Sequence, residues 1–356
     1  MHRNYVITPE QGRLQVYRKA LKEELRDVLL SEGEFKRMPL MHPRILEYKG
    51  RILGGRSRVS HFADWTEFLL REYGPQQSCL SLGSGIGRVE RYLIQIGFAR
   101  RFEAIDLNPR HNIMVRRANA HIAAREGDLN FVEVKPNRYD FILCHGILHH
   151  LINLEHVLEQ INHGLKPDGL LLIHEYVGED RWQFSETRLS WLNKMLEDAK
   201  LKNPPLSRVH GFEAVRSGDL LALVQAQFGS VCERSVNYGG VFFPSMVCNP
   251  RIANQRIEQI LELDEEVSQQ GELPPCYHMG VYHKSDAAPP QAVPWTDEQL
   301  KAKLSPPMSV PQRLVRIGHG VRSKVRLRTH LRRLLSHLRP RVSQAGPGTN
   351  AGVIPK

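Results

Sequence analysis

The sequence predicts an α/β fold, a mostly parallel sheet with helices on both faces. Three observations predict it. From residue 78 onward, short apolar runs alternate with segments of helical periodicity, as strand–helix–strand crossovers require. The first run ends in a glycine-rich turn, Leu82-Gly83-Ser84-Gly85-Ile86-Gly87-Arg88, that opens a helix. Two acidic residues, Asp106 and Asp128, follow the second and third runs. They would therefore lie at the carboxyl edge of a parallel sheet, where such folds bind ligands.

The elements follow in order. Residues 1–59 form an N-terminal extension, helical from Leu14 to Leu30, then loop-like through Gly50, Gly54 and Gly55. A helix runs from Ser60 to Tyr73, with Phe62, Trp65, Phe68, Leu69 and Tyr73 on one face. The core domain spans residues 60–285. Its strands are Cys79–Leu82, Phe102–Ile105, His121–Arg125, Tyr139–Cys144 and Leu170–His174. Helices are expected at Arg88–Ile96 and at Asn153–His163, the second with Asn153 as N-cap and Gly164 past its end. Helix-rich stretches at Trp182–Ala199 and Phe212–Phe228 precede two last strands, Ser230–Val236 and Cys276–His283. Residues 286–312 are rich in proline and alanine and read as a linker.

The chain carries a net charge of +11. From Ala287 onward there are thirteen Lys/Arg against two Asp/Glu, so this segment holds the whole excess. Residues 313–341 contain ten basic residues and no acid, with apolar positions at Leu314, Ile317, Val321, Val325, Leu331, Leu334, Leu335 and Leu338. The basic amphipathic segment 313–356 is therefore expected to meet an anionic membrane surface or a nucleic acid. No aromatic interleaves its arginines, which disfavours base stacking.

Five cysteines, Cys79, Cys144, Cys232, Cys248 and Cys276, show neither a C-x-x-C nor a zinc-like spacing. That disfavours a disulfide framework and gives no metal site. Cys79 and Cys144 read as buried thiols suited to a reducing compartment. Met1-His2-Arg3-Asn4-Tyr5 leads into polar residues, and no run of about 18 apolar residues exists. The expected location is the cytoplasm, including the inner face of the membrane.

The glycine turn follows G-x-G-x-G spacing. Arg88 stands where a dinucleotide fingerprint needs its third glycine, so a nicotinamide oxidoreductase is disfavoured. Asp106 comes 21 positions after Gly85, as a carboxylate for ribose hydroxyls would. Asp128 sits in Gly127-Asp128-Leu129-Asn130. Further on stand Tyr139-Asp140-Phe141-Ile142-Leu143-Cys144-His145-Gly146-Ile147-Leu148-His149-His150 and Leu165-Lys166-Pro167-Asp168-Gly169-Leu170-Leu171-Leu172.

With these segments in this order, the sequence resembles the class I S-adenosylmethionine-dependent methyltransferases. More loosely, the extension after the fifth strand resembles those of bacterial glycan assembly. The resemblance implies a Rossmann-like seven-stranded sheet with the last strand antiparallel. It implies S-adenosyl-L-methionine as cofactor, with Gly83, Ser84, Gly85 and Gly87 around its methionine part and Asp106 on its ribose. Asp128 would receive the adenine amino group, Leu129 would lie beside the ring, and His145 would flank the cofactor near the methyl. The long insertion between the last two strands departs from the pattern.

Methyl transfer from a sulfonium needs chiefly positioning, and a base only when the acceptor must lose a proton. Candidates are His145, His149, His150, His174 and Glu175, with His149 and Glu175 the expected pair. Adjacent helical residues diverge, so only one of His149 and His150 is expected to face the site. The expected function is methylation of a small molecule or glycan. The alternatives are an RNA methyltransferase anchored by the basic segment, and a non-catalytic binding or scaffold protein on the same fold. His145-Gly146-Ile147-Leu148 occupies the place of the Asn/Asp-Pro-Pro-aromatic tetrad, which disfavours the RNA enzyme.

Overall fold

The computed structural model describes residues 4–26, 42–54, 63–206, 209 and 211–305. The whole basic segment 313–356, part of the N-terminal extension and the first residues of the Ser60–Tyr73 helix lie outside them.

Strands β1 (Cys79–Leu82), β2 (Phe102–Asp106), β3 (Ile122–Glu126), β4 (Tyr139–His145), β5 (Leu165–Tyr176), β6 (Cys232–Tyr238) and β7 (Tyr277–His283) form one sheet. Their order is β3-β2-β1-β4-β5-β7-β6. Strands β1 to β5 pair in parallel, whereas β7 runs antiparallel to both β5 and β6. This is the Rossmann-like seven-stranded sheet expected from the sequence. The order reverses between β1 and β4, which opens a crevice at their carboxyl ends.

The helices among the described residues are α1 (Gln15–Glu24), α2 (Pro43–Gly54), α3 (Ala63–Tyr73), α4 (Arg88–Gln95), α5 (Pro109–Ala118), α6 (Leu154–Gly164), α7 (Glu186–Met195) and α8 (Ser217–Phe228). The insertion between β6 and β7 folds as α9 (Phe242–Cys248), α10 (Pro250–Gln255) and α11 (Ile257–Gln270), and α12 (Asp297–Leu304) follows β7.

Alternation along the strands sends successive side chains to opposite faces. Cys79, Phe141, Leu143 and Leu172 enter one core; Leu80, Leu82, Ile142 and Ile173 enter the other, with Leu154, Val157 and Ile161 of α6. A third, smaller cluster joins Val6, Ile7 and Tyr17 to Phe212, Val215 and Leu300.

Four local expectations need correction. The stretch through Gly50 and Gly54 is helical, not a loop. Ile45, Leu46, Tyr48 and Leu53 of α2 are buried, and the Tyr48 hydroxyl donates to Asp264 at 2.6 Å. Packing outweighs the roughly 1 kcal/mol cost of a helical glycine. Asn153 precedes α6 but does not cap it with its side chain. Its carboxamide instead accepts from the Val6 and Ile7 amides at 2.9 and 2.8 Å and donates to the Asn130 carbonyl. Strand β5 starts five residues early, at Leu165, through a register irregularity opposite Tyr139 and Phe141. Finally, residues 286–305 pack on the body of the chain. Thr296 and Gln299 form a capping box at the start of α12, and Leu300 is fully buried.

Candidate active site

The glycine turn between β1 and α4 holds Gly83, Gly85 and Gly87 at φ values of +70°, +52° and +69°. Gly83 admits no side chain. A Cβ there would stand 2.2 Å from Cγ1 of Ile147, on the loop after β4. The turn can bend so close to the next loop only with glycine. At Gly85 the space is open, and its amide donates to Oδ2 of Asp106 at 2.8 Å.

Asp106 ends β2, where its carboxylate also accepts from the Asn108 amide at 2.8 Å and meets His111 Nδ1 at 3.2 Å. Asn108 then caps α5, accepting from the Arg110 amide with Pro109 at the first helical position. Asp128 follows β3. Its two oxygens accept from the Tyr17 hydroxyl at 2.6 Å and the Asn130 amide at 3.0 Å. Burial pushes its pKa above the usual carboxylate value, against these donors.

Asp106 and Asp128 line one cavity together with Gly83, Leu107, Leu129 and Ile147. The glycine bend and both acidic side chains therefore share one crevice. Glu24 and Leu25 from the N-terminal extension, with Phe212, form part of its wall. Of the other expected cofactor residues, Gly85 reaches this crevice through its bond to Asp106. Ser84 is buried nearby in the turn, and its hydroxyl has no hydrogen-bond partner among the described residues. His145 is not among the lining residues. Its ring packs edge-on against His174 at 5.1 Å, and enclosure pulls its pKa down to about 4.

His150 lines the same cavity. His149 and His150 end a single 3-10 turn, Leu148–His150, and do not open α6, which begins at Leu154. Of the two, His150 is among the residues lining the cavity and His149 is not; their rings lie 4.2 Å apart. Both turn toward one carboxylate: Nε2 of His149 is 3.6 Å from Oε1 of Glu213, and Nε2 of His150 is 3.5 Å from Oε2. Glu213 comes from the loop before α8 and fills the angle between the rings.

Glu175, on β5, does not face an acceptor. It is 1% exposed. Its Oε1 accepts from the Ile147 and Leu148 amides at 2.7 and 3.0 Å, and its Oε2 pairs with His149 Nδ1 at 2.8 Å. Burial opposes its charge, but His149 and the two amides hold its pKa below the usual value. Glu24 stands 2.8 Å from Nδ1 of His150. Burial alone would lower the His150 pKa; Glu213 and Glu24 more than offset this and raise it to about 10. Neither Glu24 nor Glu213 is marked by any motif, and both reach the histidines from distant segments.

Residues 55–208 match the family described as methyltransferase domain. No curated relative matches the chain. Among solved structures, an S-adenosylmethionine dependent methyltransferase from Mesorhizobium loti is 16% identical, with 62% of this chain and 97% of that one covered at a TM-score of 0.39. The PH0226 protein from Pyrococcus horikoshii OT3 is 12% identical, with 72% and 100% covered and a TM-score of 0.39. A geranyl diphosphate methyltransferase in complex with SAM is 16% identical, with 62% and 84% covered and a TM-score of 0.38.

The sheet order, the glycine turn and the matched segment define a class I methyltransferase domain. The chain therefore carries a methyltransferase domain over residues 55–208. No helix among the described residues is long and apolar enough to cross a membrane.

Proposed function

We propose that the protein methylates a hydroxyl group of a small molecule or glycan. The observation that carries this reading is His150, beside Glu24 at the wall of the cavity that Gly83, Asp106 and Asp128 also line, with His149, paired to Glu175, packed against it. A hydroxyl must shed its proton as it becomes an ether, so its transfer site needs groups that manage an oxygen and a proton.

The residues present fit the cofactor. The open space at Gly85 leaves room for the methionine part, and the orphaned Ser84 hydroxyl is a ready donor beside it. Asp106 would accept from the ribose, Asp128 from the adenine amino group, and Leu129 would cover the ring. Bound there, S-adenosylmethionine supplies a methyl group already activated on a sulfonium. The chain then orients the acceptor oxygen against that methyl and excludes water. Glu175 acts through His149 and is a positioning residue.

Isothermal titration with S-adenosylmethionine should give micromolar binding that Asp106→Ala abolishes. Unchanged affinity in that variant would refute the site. With labelled cofactor and a panel of sugars and small alcohols, His149→Ala should lower turnover by about 10²- to 10⁴-fold and leave cofactor affinity intact.

A further inference from the structure

We propose that His149, His150 and Glu213 bind one divalent transition-metal ion of the zinc type beside the cavity that His150 lines. One donor atom from each of the three residues lies within 4.8 Å of the other two. The imidazole-to-carboxylate contacts of 3.5 and 3.6 Å are at or beyond the edge of hydrogen-bond length. They are what two ligands show when they share an ion. Bonds of about 2.1 Å at tetrahedral angles separate neighbouring ligand atoms by about 3.4 Å.

The groups behind the ligands fit the same reading. Glu175 pairs with Nδ1 of His149 at 2.8 Å. A proton held on that nitrogen leaves the Nε2 lone pair directed at Glu213, the usual carboxylate–histidine–metal arrangement. Glu24 sits at the corresponding nitrogen of His150 at 2.8 Å. Three carboxylates thus surround two imidazoles, an excess of negative charge that a dication neutralises. The loop carrying Glu213 is fixed from behind. The Val215 amide donates to the His149 carbonyl at 3.1 Å, and the buried Arg181 donates to the carbonyls of Gly211 and Glu213 at 2.9 and 3.0 Å. Arg181 and Ala214 hold left-handed backbone, with φ of 58° and 47°, strain that the surrounding contacts must maintain.

Two imidazoles and one carboxylate suit zinc-like ions, and three protein ligands leave a place for a fourth. Glu213 keeps 25% of its side-chain surface, which gives an ion a way in. On the hydroxyl-methylation reading, from which the role but not the site follows, that fourth ligand is the acceptor oxygen. The ion would fix the oxygen in place and weaken its hold on the proton.

The test is titration of the full chain, after chelator treatment, with Co²⁺. One ion per chain should bind with the visible absorption of a low-symmetry nitrogen–oxygen site, and Zn²⁺ should displace it. Glu213→Gln and His150→Gln should each weaken binding at least tenfold; Cys232→Ser and Cys248→Ser, which alter thiols outside the cluster, should leave it unchanged. Pulsed EPR of the wild-type chain loaded with Cu²⁺ should register two imidazole nitrogens, a result that needs no variant to fold. Absence of a bound ion, or two-imidazole binding that survives in folded Glu213→Gln, overturns the proposal. Loss of S-adenosylmethionine binding with Co²⁺ binding intact would instead overturn the methylation reading alone.

Discussion

The hydroxyl of Tyr17 donates to the carboxylate of Asp128 at 2.6 Å, joining α1 to the loop after β3. Tyr17 is 1% exposed, so its hydroxyl cannot turn to water, whereas Asp128 is half-buried at the cavity wall. Tyr17→Phe should cost about 1.5–3 kcal/mol, the contribution of a hydrogen bond to a charged group. Chemical denaturation measures this directly. An unchanged midpoint would mean that Asn130, which also bonds Asp128, suffices.

The glycine turn gives a graded comparison. Gly83→Ala forces both a left-handed backbone and an overlap with Ile147, whereas Gly85→Ala meets only the backbone strain. Gly85→Ala should lower stability by about 1 kcal/mol, and Gly83→Ala by several times more. Equal melting temperatures for the two variants would contradict the close approach of Ile147.

Glu90 sits in the first turn of α4, 3% exposed. Its Oε1 accepts from the Ser81 hydroxyl at 2.5 Å, and its Oε2 has no hydrogen-bond partner among the described residues. Burial raises its pKa to about 7; Ser81 opposes the rise and the Asp106 charge adds to it. The folded chain thus binds this proton more tightly than the unfolded one. Its contribution to stability is complete below the unfolded value of 4.5 and is lost as pH rises through about 7. Glu90→Gln should match the wild type near pH 4 and exceed it by about 3 kcal/mol at pH 8. Parallel stability curves at the two pH values would sink this assignment.

Arg216 forms a two-pronged ion pair with Glu155 at 2.8 and 2.9 Å, both residues buried. Arg216→Met strands a buried carboxylate and should cost about 3–5 kcal/mol. Adding Glu155→Leu should recover most of that loss. A double variant no more stable than the single one would show that the Arg216 bond to the Ile152 carbonyl matters more.

What the sequence disclosed depended on distance along the chain. The turn from Gly83 to Gly87 and the acid ending β2 are local patterns with fixed spacing, and they were readable. The helix through Gly50 was misread because its stability comes from contacts with a segment more than 200 positions later, such as Asp264. Residues 286–305 were misread because composition outweighed a visible signal, Thr296 three positions before Gln299, that marks a helix start. Glu24, Glu213 and Tyr17 carry no local mark at all. Only the folded chain reveals what they touch.

The Trp295 amide donates to the Val6 carbonyl at 2.7 Å, and the Gln11 side chain bonds both the Trp295 carbonyl and Asp297. The stretch that supplies Glu24 to the cavity is thus clamped by a partner translated almost three hundred codons later. During synthesis that clamp can close only after Trp295 and Asp297 have been made, whereas the bonds of this stretch to Asp128 and Asn153 can form earlier. The wall that Glu24 forms is thus braced from both sides, and deleting residues 4–11 or residues 295–305 should loosen the same part of the cavity.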